Sequence, residues 1–328
     1  MSNITILGNR KQDADRAKMQ TSFVKSQLVL FYSRKKFAFL YCLATITGLF
    51  CIPGVFAASS GADILTIARN TLSLPIASLL VTAGTYTLND LVDVDLDRAN
   101  RKKRPIPSGR VSKKQARIFV LLTFGTAVVL TMTTFSLISI SILTLMLLIG
   151  IAYSAPKIAL MKRFVIKTAS IALFYVLCAL LGITSPHNID LAMDRPAQIA
   201  SILLTLALMV FISSTLNDMG DIVGDKASKR RTIPIVIGEE NTIRLTLILA
   251  ASVLGVNWTF YGASLAQVHE ASLLSAFSTT AITLIVMTTL LRIRKRLHNA
   301  EFMRKQHRNL FPLQMALHPS LISGLAMI

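Results

Sequence analysis

Two short stretches of the chain carry the same acidic pattern. Asn89-Asp90-Leu91-Val92-Asp93-Val94-Asp95-Leu96-Asp97 reads N-D-x-x-D-x-x-x-D, and Asn217-Asp218-Met219-Gly220-Asp221-Ile222-Val223-Gly224-Asp225 repeats it 128 residues later. On a helix turning about 100° per residue, Asn89, Asp93, Asp97 and Asp90 fall at about 0°, 40°, 80° and 100°, on one narrow face. Asp95 falls near 240°, on the other side, and reads as a solvated residue. The second stretch gives the same arc for Asn217, Asp218, Asp221 and Asp225. Carboxylates gathered in this way repel one another unless cations lie between them. An all-oxygen donor set suits a hard divalent ion, and Mg²⁺ is commonly shared between a few carboxylates and the phosphates of a substrate. Asn89, Asp90, Asp93, Asp97, Asp218, Asp221 and Asp225 are therefore the candidate metal ligands.

Basic residues accompany both stretches. Lys102, Lys103 and Arg104 follow the first, leading into Pro105-Ile106-Pro107-Ser108-Gly109. Lys226, Lys229, Arg230 and Arg231 follow the second, ahead of Thr232-Ile233-Pro234. Tyr153-Ser154 and Lys162-Arg163 lie between them, and Arg34, Lys35 and Lys36 come earlier. Acidic clusters beside basic clusters suit a metal-bridged polyphosphate, with the ions on the carboxylates and Lys or Arg on the outer oxygens. Arg34, Arg104, Tyr153, Ser154, Lys162, Arg163 and Arg231, together with Asn89, are the candidates for that second task.

The elements that must position these residues are apolar helices. The chain has 328 residues, 53% of them hydrophobic and 16% charged, with a mean hydropathy of +0.59. Ordinary soluble domains carry about 25% charge, so this composition excludes a disordered chain and argues against a soluble enzyme. Nine stretches have the length and apolarity of a membrane span: 37–58, 71–90, 116–135, 137–154, 165–184, 197–217, 243–263, 271–291 and 310–328. The ninth contains Pro312 and Pro319. The expected architecture is all-α and polytopic, with a polar segment at 1–33 and one transmembrane domain at 34–328. No apolar h-region lies near the start, so no cleaved signal peptide is expected. The second acidic stretch lies four spans on from the first, so both sit at the ends of helices that run the same way, which reads as a weak internal four-helix repeat.

Charge alternates along the chain. Of the 35 Lys and Arg, 33 fall in the segments 1–36, 91–117, 153–167, 217–244 and 292–308; Arg69 and Arg195 fall on the other side. This is the positive-inside pattern. It predicts a cytoplasmic N-terminus and active site and a C-terminus on the opposite side. It also accounts for the net charge of +19 through topology and anionic lipid, without nucleic acid. Cys42, Cys51 and Cys178 lie in apolar stretches with no metal or disulfide spacing and read as buried hydrophobes. His318, inside the ninth span, reads as structural; His187 and His269 fall on the far side, His298 and His307 in the basic segment after the eighth span.

The chain resembles the UbiA superfamily of intramembrane prenyltransferases over roughly residues 28–310. The resemblance rests on Asn89–Asp97 with Arg104–Gly109, on Tyr153-Ser154 with Lys162, and on Asp218–Asp225 with Thr232–Pro234. It implies nine helices around a central cavity. A polyprenyl diphosphate would bind through two Mg²⁺ ions at the carboxylates, with its tail among apolar helices. The family's metal positions map onto Asn89, Asp93, Asp97, Asp218, Asp221 and Asp225, its early arginine onto Arg34, and its lysine after the Tyr-Ser pair onto Lys162; Asp93, Asp97, Asp221, Asp225 and Lys162 are the catalytic candidates. The sequence departs from many relatives at Phe164-Val165-Ile166-Lys167-Thr168, where they carry a Gly-Asn pair, and in the unusually basic run 226–231.

The implied reaction is transfer of a prenyl group, geranylgeranyl in type, to a lipophilic acceptor. The similarity is strongest to archaeal ether-lipid synthases acting on a glyceryl phosphate. An aromatic quinone or chlorophyll-type precursor, an acceptor-free terpene cyclisation and a cation-coupled transporter are the alternatives. Transport would place ionisable groups near the bilayer midplane, whereas these carboxylates sit at helix ends.

Overall fold

The computed structural model describes residues 22–52, 64–99, 103–186, 188–266 and 273–323. Lys102, His187, His269 and the ends of the first and ninth expected spans lie outside them. The described residues form helices and connecting turns, without a strand. In chain order the helices are α1 (Phe23–Phe50), α2 (Ile64–Val92), α3 (Val94–Ala99), α4 (Lys113–Met132), α5 (Leu137–Ser154), α6 (Ile166–Ile183) and α7 (Ile189–Met193). They continue with α8 (Pro196–Gly220), α9 (Ile222–Ala227), α10 (Ile233–Ile237), α11 (Glu239–Ala266), α12 (Leu273–Arg294) and α13 (Ala300–Ser323). A 3₁₀ turn at Leu160–Lys162 precedes α6.

Seven of these helices are long and apolar enough to cross a membrane: α2, α4, α5, α6, α8, α11 and α12. They cover seven of the nine expected spans. The other two expected spans also lie on long helices, α1 and α13, of 28 and 24 residues. Neither of these is as uniformly apolar. Arg34, Lys35 and Lys36 lie within α1 rather than before it, because Lys and Arg favour helix about as well as Leu does. α13 begins among Glu301, Arg304, Lys305, His307 and Arg308 and turns apolar only near Leu310.

The motif-bearing helices sit inside the bundle. α2 packs against α1 and α4, and α8 packs against α6, α11 and α13. α1 and α6 cross closely at Gly48 and Gly182, where an added Cβ would strike the backbone carbonyls of Ala179 and Thr45. Without a hydrophobic drive between helices in lipid, such small-residue approaches are a main source of helix association. The crossing also carries a buried polar bridge. His318 of α13 meets Thr47 of α1 at 2.7 Å and the Tyr175 hydroxyl of α6 at 2.6 Å. Cys42, Cys51 and Cys178 are free and buried, as read from the sequence.

Candidate functional site

The first acidic stretch is not one straight helix. α2 ends at Val92, the chain bends at Asp93, and α3 runs from Val94. The backbone bonds Asp93 N–H to Asn89 O and Asp97 N–H to Asp93 O, at 3.0 and 2.8 Å, nevertheless keep the helical phase across the bend. Asp90, Asp93 and Asp97 are buried together, and Asp95 points outward with its side chain 85% exposed, beside Arg98. The turn after α3 is pinned by Ile106 and Val111, which are buried against Leu30, Ala38, Ala83 and Val94. Ser112 then starts α4 with a capping box to Gln115. This packing carries Arg104 back over the motif.

The second stretch is also broken, between α8 and α9 at Asp221. Asp218 and Asp225 are buried, Asp221 is 37% exposed, and Asn217 faces outward. α9 closes with Lys229 in the left-handed region at φ 54°. Bonds from Lys229 N–H to Lys226 O and from Arg230 N–H to Asp225 O complete the cap, a Schellman arrangement that turns the chain sharply back. The turn throws Arg230 inward and leaves Arg231 exposed.

Cations of the chain meet these carboxylates. Arg34 donates through Nε to Asp90 Oδ2 at 3.0 Å and pairs through Nη2 with Oδ1. Arg104 Nη1 donates to Asp90 at 2.8 Å and to Asp97 at 2.6 Å. Arg230 Nη2 donates to both oxygens of Asp93, at 2.8 and 2.7 Å, and Nη1 lies 3.8 Å from Asp225. Arg230 thus ties the two motifs together across the bundle. Burial works against its charge, but the bond to Asp93 and the charges of Asp93 and Asp225 outweigh it and hold the guanidinium's proton more firmly than usual. Lys167 pairs with Asp218 Oδ1 and lies 4.0 Å from Asp225 Oδ2. Arg304 of α13 donates to Gly220 O at 2.9 Å and lies 3.5 Å from Asp221.

Sequence reasoning put the bases on the outer phosphate oxygens and left the carboxylates unscreened. In the structure the bases turn onto the carboxylates, because buried charge needs a partner. Among the described residues no three acidic, His or Cys side chains converge tightly enough to hold a metal as they stand. The donors nevertheless have the chemistry for Mg²⁺. All are oxygens, and Asp218 Oδ2, Ser154 Oγ and Thr232 Oγ1 are buried without a hydrogen-bond partner. Lys162 and Arg163 are exposed, and Arg163 bonds Ile158 O; Lys167, five residues beyond Lys162, is the buried lysine. Arg230 and Lys167, noted in the sequence only within longer runs, and Arg304 were not among the candidate site residues. The available signal for Lys167 was an ionisable residue in the first turn of an apolar helix.

Below the motifs lies a cavity of about 100 Å³ lined mostly by aromatic and apolar side chains, among them Tyr41, Tyr86, Ile149 and Phe174, with Thr82, Thr85 and Ser170 adding hydroxyls. Asn89 and Tyr153 stand at its motif end, and the Arg34 guanidinium lies 5.4 Å from the Tyr86 ring centre. A charged cluster therefore opens onto a largely aromatic and apolar pocket.

The UbiA prenyltransferase family model matches residues 32–311. A digeranylgeranylglyceryl phosphate synthase of Methanoculleus marisnigri is 30% identical over 244 residues, covering 71% of this chain and 82% of that protein. One from Methanopyrus kandleri is 29% identical over 181 residues, covering 54% and 61%. Among solved structures, one described as giving insights into digeranylgeranylglyceryl phosphate synthase in membranes superposes with a TM-score of 0.67 at 18% identity, over 93% of this chain and 99% of that one. A UbiA homolog from Archaeoglobus fulgidus, bound to GPP and Mg²⁺, superposes with a TM-score of 0.59 at 16% identity, over 91% and 99%.

Proposed function

The chain belongs to the UbiA prenyltransferase family, and from that premise we propose that it transfers a geranylgeranyl-type group from an allylic diphosphate to a glyceryl phosphate of an ether lipid, releasing diphosphate. It is a prenyltransferase and an integral membrane protein. The observation that carries the diphosphate chemistry is the meeting of two carboxylate motifs of the same pattern, tied by Arg230, at the mouth of an aromatic cavity. The named relatives support the acceptor, and the basic run 226–231 suits a phosphorylated one.

Asn89, Asp93 and Asp97 on one side and Asp218, Asp221 and Asp225 on the other would hold Mg²⁺, two ions in this reading, supported by the Mg²⁺ of the Archaeoglobus homolog. Bound there, Mg²⁺ would supply positive charge to the departing diphosphate. The chain's own part is distinct. Arg34, Arg104 and Arg230 already hold guanidinium groups at the carboxylates, where they need little movement to donate to phosphate oxygens. As the allylic C–O bond breaks, such fixed donors stabilise the charge that develops. Tyr41, Tyr86 and Phe174 hold the prenyl end and keep water from the allylic cation. The acceptor oxygen then forms the new C–O bond and gives up its proton. The alternation of Lys and Arg supports a cytoplasmic site.

The test is turnover by purified protein in nanodiscs with geranylgeranyl diphosphate, Mg²⁺ and a panel of acceptors, read by mass spectrometry. We expect an ether adduct with geranylgeranylglyceryl phosphate, abolished by EDTA and restored by Mg²⁺. An adduct on hydroxybenzoate or another aromatic acceptor alone would reassign the acceptor. A hydrocarbon formed without acceptor would make the protein a cyclase, and EDTA-insensitive turnover would overturn the metal reading.

A further inference from the structure

Among the described residues, the cations paired with the motif carboxylates are guanidinium groups except Lys167, which is an ammonium. Its side chain is 9% exposed and pairs with Asp218, itself 1% exposed, while its Nζ lies 4.0 Å from Asp225 Oδ2. These are the two buried carboxylates of the second motif. The lysine enters from the first turn of α6. Asp218 keeps one oxygen, Oδ2, buried without a hydrogen-bond partner.

The geometry points to Lys167 as a resident cation of the second motif, which a divalent ion must displace from Asp218 and Asp225. This rests on the reading of that motif as a metal–diphosphate site. A divalent ion on the same carboxylates would face an ammonium bonded to one of their oxygens, and like charges at that separation repel strongly in a low-dielectric site. The ammonium cannot simply stay buried without a partner. Diphosphate removes the conflict, because its oxygens give the ammonium somewhere to go. Lysine suits such an exchange: a point charge on a flexible stem can swing between partners, whereas a guanidinium is bound to a fixed fork. The first motif is built the other way, with Asp90 and Asp97 held by arginines. Metal entry at the second motif is thereby coupled to arrival of the diphosphate, and metal alone binds there poorly. The coupling is reciprocal, as any linkage between two binding events must be.

The experiment is a Mn²⁺ titration by electron paramagnetic resonance, without diphosphate, of wild type, Lys167→Asn and Lys167→Arg in nanodiscs. Lys167→Asn removes the competitor and should bind Mn²⁺ about tenfold more tightly than wild type; Lys167→Arg keeps a cation there, held more firmly, and should bind Mn²⁺ no more tightly than wild type. Equal or weaker affinity in Lys167→Asn overturns the proposal. If Lys167→Asn does not fold, wild-type melting decides. Mg²⁺ alone should leave Tm nearly unmoved while Mg²⁺ with inorganic diphosphate raises it, and a shift from Mg²⁺ alone as large as with both overturns the proposal. Failure of the parent reading looks different: wild-type turnover would then survive EDTA. Mg²⁺-restored turnover with unchanged Mn²⁺ affinity in Lys167→Asn defeats only the role of Lys167.

Discussion

Asn89 and Asn217 open the same motif, yet Asn89 lines the cavity and Asn217 faces outward. The third position differs as well. Asp93 is buried under Arg230, while Asp221 is 37% exposed beside Arg304. Only the Asp90/Asp218 and Asp97/Asp225 pairs are buried alike. The cause lies in what covers each helix end. The loop after α3 is clamped by Ile106 and Val111 and folds Arg104 over the first motif. The end of α8 is covered instead by the polar start of α13, through Arg304 on Gly220 O. Identical spacing thus gives a closed half-site and a more open one. The closed half holds charge with arginines alone; the open half adds Lys167 on Asp218 to the more distant Arg230 and Arg304, and leaves Asp221 reachable from solvent.

The largest expected effect tests this difference at the third position. Asp93→Asn should lower kcat/KM by about 10³-fold, the upper end for loss of one preorganised electrostatic group, and Asp221→Asn by about 10²-fold. Equal losses, measured on protein that inserts normally, would erase the asymmetry. Next comes stability. Arg230→Ala strips a buried carboxylate of its partner and should cost about 3 kcal/mol. Arg304→Ala, with its side chain 56% exposed, should cost under about 1 kcal/mol. Thermal unfolding in one detergent compares the two, and a larger cost at Arg304 would reverse the assignment of the closed half. Asn89→Ala should then lower kcat/KM by about tenfold, in the range expected when a metal site loses a supporting group, with Asn217→Ala unchanged. Activity lost at Asn217 would mean that the second motif closes onto substrate. Smallest is Asp95→Ala, whose exposed side chain should leave turnover within about twofold of wild type.

Several features were legible without the fold. The helical arc of Asn89, Asp90, Asp93 and Asp97 and the outward phase of Asp95 follow from residue spacing, and the bend at Asp93 preserves them. The apolar runs mark seven helices that can span a membrane. The ends of the first and ninth spans were less legible, because hydropathy stops at Arg34–Lys36 while the helix continues through them. The choice among neighbouring bases was not legible at all. Lys162 and Lys167 differ by five positions, and Arg230 and Arg231 by one; as charges in a sequence they are equivalent. A 3₁₀ turn ahead of α6 exposes Lys162 and the first turn of the helix buries Lys167. A left-handed Lys229 turns Arg230 inward.

The sequence by itself therefore determined the helical membrane class and the arc of Asn89, Asp90, Asp93 and Asp97, because these depend on hydrophobicity and on a helical period that neighbouring residues share; the same arc expected of the second motif does not hold at Asn217, which faces outward. The tertiary structure alone decided which cation meets which carboxylate, that Arg230 joins the two motifs, and that Asn89 is inside while Asn217 is not. Those outcomes depend on how turns re-aim single side chains and on which distant helix covers each end, and no local pattern carries that information.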